Sequence, residues 1–187
     1  MSWFTEGMRF RLAVAADADA LVALIRSAYR GEASRQGWTS EADLVDGDRI
    51  DADQVRAMIA NPGSVLIVVD GDDGPIGCCQ VEERGGQVTY FGTFAVSPAA
   101  QGGGIGRALM AEAEREAVAR FGASVLEMTV LAQQEALIAY YERRGFRRTG
   151  ERRSFPADER FARPRRDGLY FVVLAKPLAT DGAAAAG

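Results

Sequence analysis

The sequence predicts an α/β (α+β) fold of one domain over residues 1–187, with 180–187 as a frayed, low-complexity tail. Three observations carry this. Between residues 65 and 96, three apolar runs are separated by short glycine turns, a spacing that suits an antiparallel meander. The third run stops at Ser97-Pro98 and leads through the turn Gln101-Gly102-Gly103-Gly104-Ile105-Gly106 into a long helical pattern. Beyond that pattern, strand-like and helix-like stretches alternate to about residue 175.

Taken in order, residues 9–14 alternate and predict a first strand. Asp17 or Asp19 can cap a helix to about Tyr29, with Leu21, Leu24, Ile25 and Ala28 on one face. Residues 31–40 are too polar for a core element, and Trp38 among them is either a plug over the core or a ligand contact. Residues 51–60 predict a second helix, stopped by Asn61-Pro62-Gly63. Strands follow at 65–69, 76–82 and 88–96, with turns at 70–75 and 84–86. A helix over 104–121 lines up Leu109, Ala113, Ala117 and Phe121 and closes at Gly122. Residues 124–131 read as a strand. Residues 134–144 read as a helix with Leu137, Ile138, Tyr140 and Tyr141 on its apolar side, Tyr140 being the core member. Residues 146–155 are a strand or a bulged strand, 156–168 a polar loop and 169–175 the last strand.

Composition excludes several chemistries. The 187 residues, 48% hydrophobic and 26% charged, suit a soluble globular core. No apolar run approaches the ~20 residues that span a bilayer. The N-terminal stretch lacks a signal-peptide core, so a cytoplasmic protein without a membrane partner is expected. The chain has no histidine, which removes Ser-His-Asp and Cys-His catalysis and most zinc sites, and no metal is expected. Proton transfer is left to Glu, Asp, Tyr, Cys, a terminus or water. Cys78 and Cys79 are neighbours in a strand, point to opposite faces and make poor disulfide partners. Residues 143–166 hold ten arginines and three acids, a local charge of +7 in a chain of net charge −4. Such a segment either attracts anionic ligands or is a solvated face paired with carboxylates elsewhere. The acidic whole, with Lys176 as its only lysine, argues against a nucleic-acid partner.

Strand, glycine turn and helix together form an arrangement for holding an anion. The first helical turn has N–H groups without partners, the dipole adds positive charge, and glycines clear the approach. A dinucleotide fingerprint fails, because its final small position falls on Arg107 or Leu109, and a Walker A loop fails for want of its lysine. The pattern Gln/Arg-x-x-Gly-x-Gly/Ala fits at Gln101, Gly104 and Gly106.

That pattern resembles the acetyl-CoA pyrophosphate loop of the GNAT superfamily of N-acetyltransferases. Tyr140-Tyr141-Glu142-Arg143-Arg144-Gly145-Phe146 looks like the Tyr-Glu-x-x-Gly-Phe signature of the same family, at the expected separation. The order strand, helix, helix, three strands, helix, strand, helix, two strands is similar to the GNAT fold along residues 9–178. The resemblance implies a mixed, mostly antiparallel sheet of six to seven strands flanked by about four helices.

It also implies roles. Phe94, Ala95 and Val96 would offer backbone to the pantetheine arm where the sheet splays, with the Val96 N–H on the acetyl carbonyl. Amides of Gln101, Gly102, Gly103, Gly104, Ile105, Gly106, Arg107 and Ala108 would hold the pyrophosphate. Gln134, standing where the family often has Asn, would contact coenzyme A. Tyr141 would protonate the departing thiolate. The strand over 88–96 has no acid, so the base is open between Glu82, Glu83, Glu127 and water. The acceptor site would be framed by residues 29–39 and 155–168, with Tyr29, Arg30 and Trp38 as contacts. If any of Arg30, Arg160, Arg163, Arg165 or Arg166 faces the cleft, the acceptor could carry a carboxylate or phosphate, as an amino acid does.

The expected function is therefore acetyl transfer from acetyl-CoA to a primary amine of a small molecule, by direct attack in a ternary complex. A homodimer is compatible with this. Two other readings compete: a coenzyme A-binding module without catalysis, and a protein or peptide N-acetyltransferase, which a long loop closing over the cleft would disfavour. A relay through Cys78 or Cys79 is disfavoured by the lack of a neighbouring His or Lys to form the thiolate.

Overall fold

The computed structural model describes residues 8–30, 41–156, 158 and 160–179. Trp38 and the tail at 180–187 lie outside the described residues. The elements are β1 (Arg9–Leu12), α1 (Ala18–Tyr29), β2 (Val45–Asp46), α2 (Ala52–Ala60), β3 (Ser64–Gly71), β4 (Gly74–Gly85) and β5 (Val88–Val96). There follow α3 (Ile105–Phe121), β6 (Val125–Leu131), α4 (Glu135–Glu142), β7 (Arg147–Ser154), β8 (Arg163–Pro164) and β9 (Tyr170–Pro177). Seven strands make one sheet in the order β1-β3-β4-β5-β6-β9-β7, antiparallel at every pair except β5–β6.

The termini of the helices follow from single residues. Asp51 accepts from the Gln54 N–H while the Gln54 side chain accepts from the Asp51 N–H, a reciprocal cap that starts α2. Gly122, in the left-handed region at φ 59, ends α3. Asp17 stands at the cap position of α1, but its carboxylate is spent on the Val14 N–H and on Arg11 rather than on the helix.

The helices cover the sheet on two faces. Leu21 and Ile25 of α1 and Val55 of α2 pack on Leu66, Val68, Cys78 and Ala95. Leu109, Ala113 and Ala117 of α3 are fully buried on the other face, with Ile67, Val69, Cys79 and Phe91. Each buried Leu, Ile or Val among them contributes about 1.5–3 kcal/mol by burial. Gly77 lets α3 approach β4, since a Cβ there would lie 2.9 Å from Leu109 and 3.1 Å from Ile105. Cys78 and Cys79 thus belong to different cores, as alternation along a strand requires.

Tyr141, not Tyr140, is the core member on α4: it is 5% exposed and packs beside Phe146, while Tyr140 is only partly buried. β7 carries a register shift between Arg148 and Arg152, the bulge that the sequence allows. The loop expected at 156–168 contains β8, which pairs antiparallel with β2.

Five of the ten arginines of residues 143–166 pair with carboxylates among the described residues. Arg148 pairs with Glu135 and Glu142, and Arg153 with Glu127 and Glu151. Arg160 pairs with Asp48 and Asp51, and Arg163 and Arg165 with Asp46. The last four contacts hold the loop before β9 against the segment around β2. They remove Arg160, Arg163 and Arg165 from the acceptor contacts considered above.

Candidate active site

The site begins with a fault in the sheet. β5 pairs with β6 only at Val88, Thr89 and Tyr90, against Val125, Leu126 and Glu127. Beyond these the strands part. On its other edge β5 bulges, because Gln80 faces Gly92 while Cys78 faces Ala95. Thr93, inside the bulge, sits at φ 47, a left-handed conformation that costs a β-branched residue about 1–3 kcal/mol. Its hydroxyl donates to Gln80 Oε1 at 3.3 Å, and Gln80 Nε2 donates to Ser64 Oγ at 3.0 Å. This buried polar chain holds the bulge.

The bulge exposes backbone. The Ser97 N–H donates to the Ile76 carbonyl at 2.8 Å, and Gly77 faces Val96. Bonding alternates along an antiparallel ladder, so the Val96 N–H turns away from β4 toward the gap left by β6. Phe94 presents its carbonyl there too, where the Tyr29 hydroxyl donates to it at 2.7 Å. Ala95 turns its side chain into the core under α1.

Below the gap lies a hollow of about 320 Å³. Phe94, Val96, Gln101, Gly102, Gly104, Ile105, Gly106, Arg107, Gln134 and Tyr141 all line it. Of the residues expected beside them, Gly103 and Ala108 do not, and the Ala108 N–H is already bonded to the Gly104 carbonyl at 3.0 Å. The donors left by the first turn of α3 are therefore those of Ile105, Gly106 and Arg107. Gly102 and Gly104 have φ of 86 and 81, which only glycine adopts readily, and a Cβ on either would project into open space. Tyr140 walls the same hollow, with the Arg144 guanidinium 3.4 Å above its ring.

Above the gap lies a second hollow of about 800 Å³. It contains Arg30, Arg49, Tyr90, Glu127 and Arg153, together with Phe155, Phe161 and Phe171. The two hollows share Tyr29, Glu41, Phe94 and Tyr141. Of the candidate bases, Glu127 faces this hollow but is engaged by Arg153 at 2.7 Å. Glu82 and Glu83 do not reach it: Glu82 pairs with Arg84, and Glu83 is exposed.

Two residues at the throat escaped sequence reasoning. Glu41, its side chain 15% exposed, accepts from Arg30 Nη1 at 2.6 Å. It lies just past the segment read as the acceptor frame. Arg49 sits half-buried over the Tyr29 ring, 4.8 Å from its centroid. Arg49 stands just before a predicted helix, whereas Glu41, midway between the two predicted helices, carries no local signal.

Electrostatics favour a proton donor and disfavour a thiolate. Burial pushes the Tyr141 phenol well above its ordinary pKa, and the neighbouring phenols of Tyr29 and Tyr140 add to this, so it remains protonated. Burial raises the Cys78 thiol to about 12 and the Cys79 thiol well above its usual value. Among the described residues no group of three acidic or cysteine side chains is placed to hold a metal ion, and no helix is long and apolar enough to cross a membrane.

The chain matches the acetyltransferase (GNAT) family over residues 12–146. It belongs to that family. As a GNAT protein it is an acyltransferase, and acetyl-CoA is the family's acyl donor. The GNAT fold is found in solved structures aligned along nearly the whole chain. The ribosomal-protein-S18-alanine N-acetyltransferase from Escherichia coli aligns at 16% identity and TM-score 0.68, covering 96% of this chain and 99% of that one. Nourseothricin acetyltransferase aligns at 24% identity and TM-score 0.64, covering 92% and 99%. The structure of yncA from Salmonella typhimurium, solved with its cofactor acetyl-CoA, aligns at 20% identity and TM-score 0.66, covering 97% and 99%. No curated protein matches the chain.

Proposed function

We propose that this GNAT protein transfers acetyl from acetyl-CoA to the primary amine of a small molecule, by direct attack with both bound. The supporting observation is the pair of hollows that, among the described residues, share Tyr29, Glu41, Phe94 and Tyr141. The smaller one suits the diphosphate and thioester end of the cofactor. Its first-turn amides at Ile105, Gly106 and Arg107, and the space over Gly102 and Gly104, suit a diphosphate. Acetyl-CoA bound there would supply an activated thioester.

The chain's own groups then divide the work. The Val96 N–H polarises the acetyl carbonyl. Glu41 takes a proton from the acceptor amine, in the place of Glu82 and Glu83, which lie away from the gap. Tyr141 donates to the departing sulfur. Gln134 orients the arm of the cofactor. The small acceptor is supported by the loop before β9, which is stapled to β2 and narrows the larger hollow with Phe161 and Ala162. The high thiol pKa values support direct attack over a cysteine relay.

The test is an initial-velocity study with a panel of small amines and N-terminal peptides, product being read by mass spectrometry. Intersecting lines and acetylated small amines are expected. Parallel lines, or acetylation of peptides alone, would sink the proposal.

A further inference from the structure

We propose that the larger hollow selects α-amino acids with apolar side chains, the Arg49 guanidinium holding their carboxylate while Glu41 faces their amine. This rests on the acetyl-transfer reading above and narrows it to a substrate class.

Arg49 stands apart from the other guanidiniums of this hollow. Arg30 is neutralised by Glu41 at 2.6 Å, Arg153 by Glu127 at 2.7 Å and Arg84 by Glu82 at 3.2 Å. Among the described residues Arg49 meets no carboxylate. Its neighbours Asp48 and Asp51 are taken by Arg26 at 3.4 Å and Arg160 at 3.3 Å. The half-buried positive charge is therefore left for a ligand.

It is also held in place. Arg49 adopts φ 65, rare for a side chain of this kind, and its N–H donates to the Phe161 carbonyl at 3.1 Å. The guanidinium carbon lies over the Tyr29 ring, 4.8 Å from its centroid, a contact that uses none of the fork's N–H donors toward a carboxylate. The same Tyr29 donates to the Phe94 carbonyl at the throat. Arg49 and Glu41 flank that phenol with opposite charge, and both bear on its ionisation, which burial dominates. Arg30 engages Oε2 of Glu41, so one ligand with an amine and a carboxylate on the same carbon can meet the other oxygen of Glu41 and the fork of Arg49.

The remaining wall is apolar. Phe155 and Phe171 stack at 5.7 Å, with Phe161 and Met128 beside them in the hollow. These accept an apolar side chain. A polyamine would instead set a second cation against Arg49 with no carboxylate to offset it.

The experiment measures binding by calorimetry, with the protein saturated by coenzyme A so that no turnover is needed. The ligands are L-phenylalanine and L-leucine, each beside its decarboxylated amine, phenethylamine or isopentylamine. At least tenfold tighter binding of the amino acids is expected. In Arg49→Gln, which inherits the same backbone, and in Arg49→Lys, which keeps charge but not the fork, that preference shrinks toward one. Equal or reversed affinities in the wild type, no binding of either amino acid at millimolar concentration, or an unchanged ratio in both variants would overturn the proposal. Acetyl transfer is scored separately on the same panel. Amino acids that bind but are never acetylated would refute the transfer reading alone. Acetylation of the decarboxylated amines alone would refute the specificity alone.

Discussion

Arg30 and Glu41 form a close pair at the throat between the two hollows: Nη1 of the guanidinium donates to the carboxylate at 2.6 Å, and both side chains are 15% exposed or less. The Nε of Arg30 is buried without a partner. The pair therefore fixes a carboxylate at the junction of the hollows, where the proposed transfer needs a base. Glu41→Gln keeps an acceptor for Arg30 but removes the base. Turnover should fall by about 10²–10⁴-fold with acetyl-CoA affinity preserved. Glu127→Gln, on a carboxylate that lines the larger hollow away from its junction with the smaller one, should change turnover only a few-fold. Steady-state kinetics on both variants check this, and the opposite ranking would transfer the role to Glu127.

Gly104→Glu should abolish acetyl-CoA binding in calorimetry. At φ 81 the new side chain is strained, and its carboxylate enters the space meant for a diphosphate. Gly104→Ala, with the strain but no charge, should weaken binding less. Equal affinities for Gly104→Glu and wild type would show that the cofactor lies elsewhere.

Tyr141→Phe should lower turnover by about 10–100-fold while leaving cofactor affinity nearly intact. Burial holds the phenol protonated across the neutral range, so an alkaline loss of activity below pH 10 should persist in the variant. An unchanged rate would remove Tyr141 as the acid.

How far the chain could be read in advance depended on how local each signal was. β5 was bounded at Val88 and Val96 because β-prone residues meet Ser97-Pro98, and α3 because Gly104 and Gly122 punctuate a regular apolar face. The cofactor hollow was legible for the same reason, since its turn is one continuous motif. The acceptor side was not. β2 and β8 are two residues each and are joined by Asp46 and Arg163, 117 positions apart. No periodicity announces a pair of that kind. Glu41 and Arg49 matter only because the helix end and the β2 segment fold back over Tyr29, which burial and long-range pairing decide. Tyr141 takes the core place expected of Tyr140 because adjacent helical positions differ by a 100° rotation, and which of them meets Phe146 is settled by tertiary packing.

Acid should expose the strand-to-helix link at Asp17. Arg11 donates to its carboxylate at 2.7 and 2.9 Å and, with the Val14 N–H, holds its pKa below the ordinary value. The depressed folded value means that this stabilisation is full above the unfolded carboxylate range and disappears as pH falls through the folded pKa. Asp17→Asn should cost about 1 kcal/mol at pH 7, a modest figure because Arg11 is partly solvated. The deficit should vanish at the acid end of urea titrations run from pH 7 downward. A deficit constant with pH would show that packing, not charge, is involved.

Cys78 and Cys79 lie back to back, each beneath a different helical layer. A thiol reagent can reach one of them only when its own layer lifts away, so the two adjacent sulfurs keep separate clocks. Reaction at Cys78 times the departure of α1 and α2, and reaction at Cys79 that of α3. A single tryptic peptide carries both, and fragmenting it between the two sulfurs over time would report which half of the molecule breathes first.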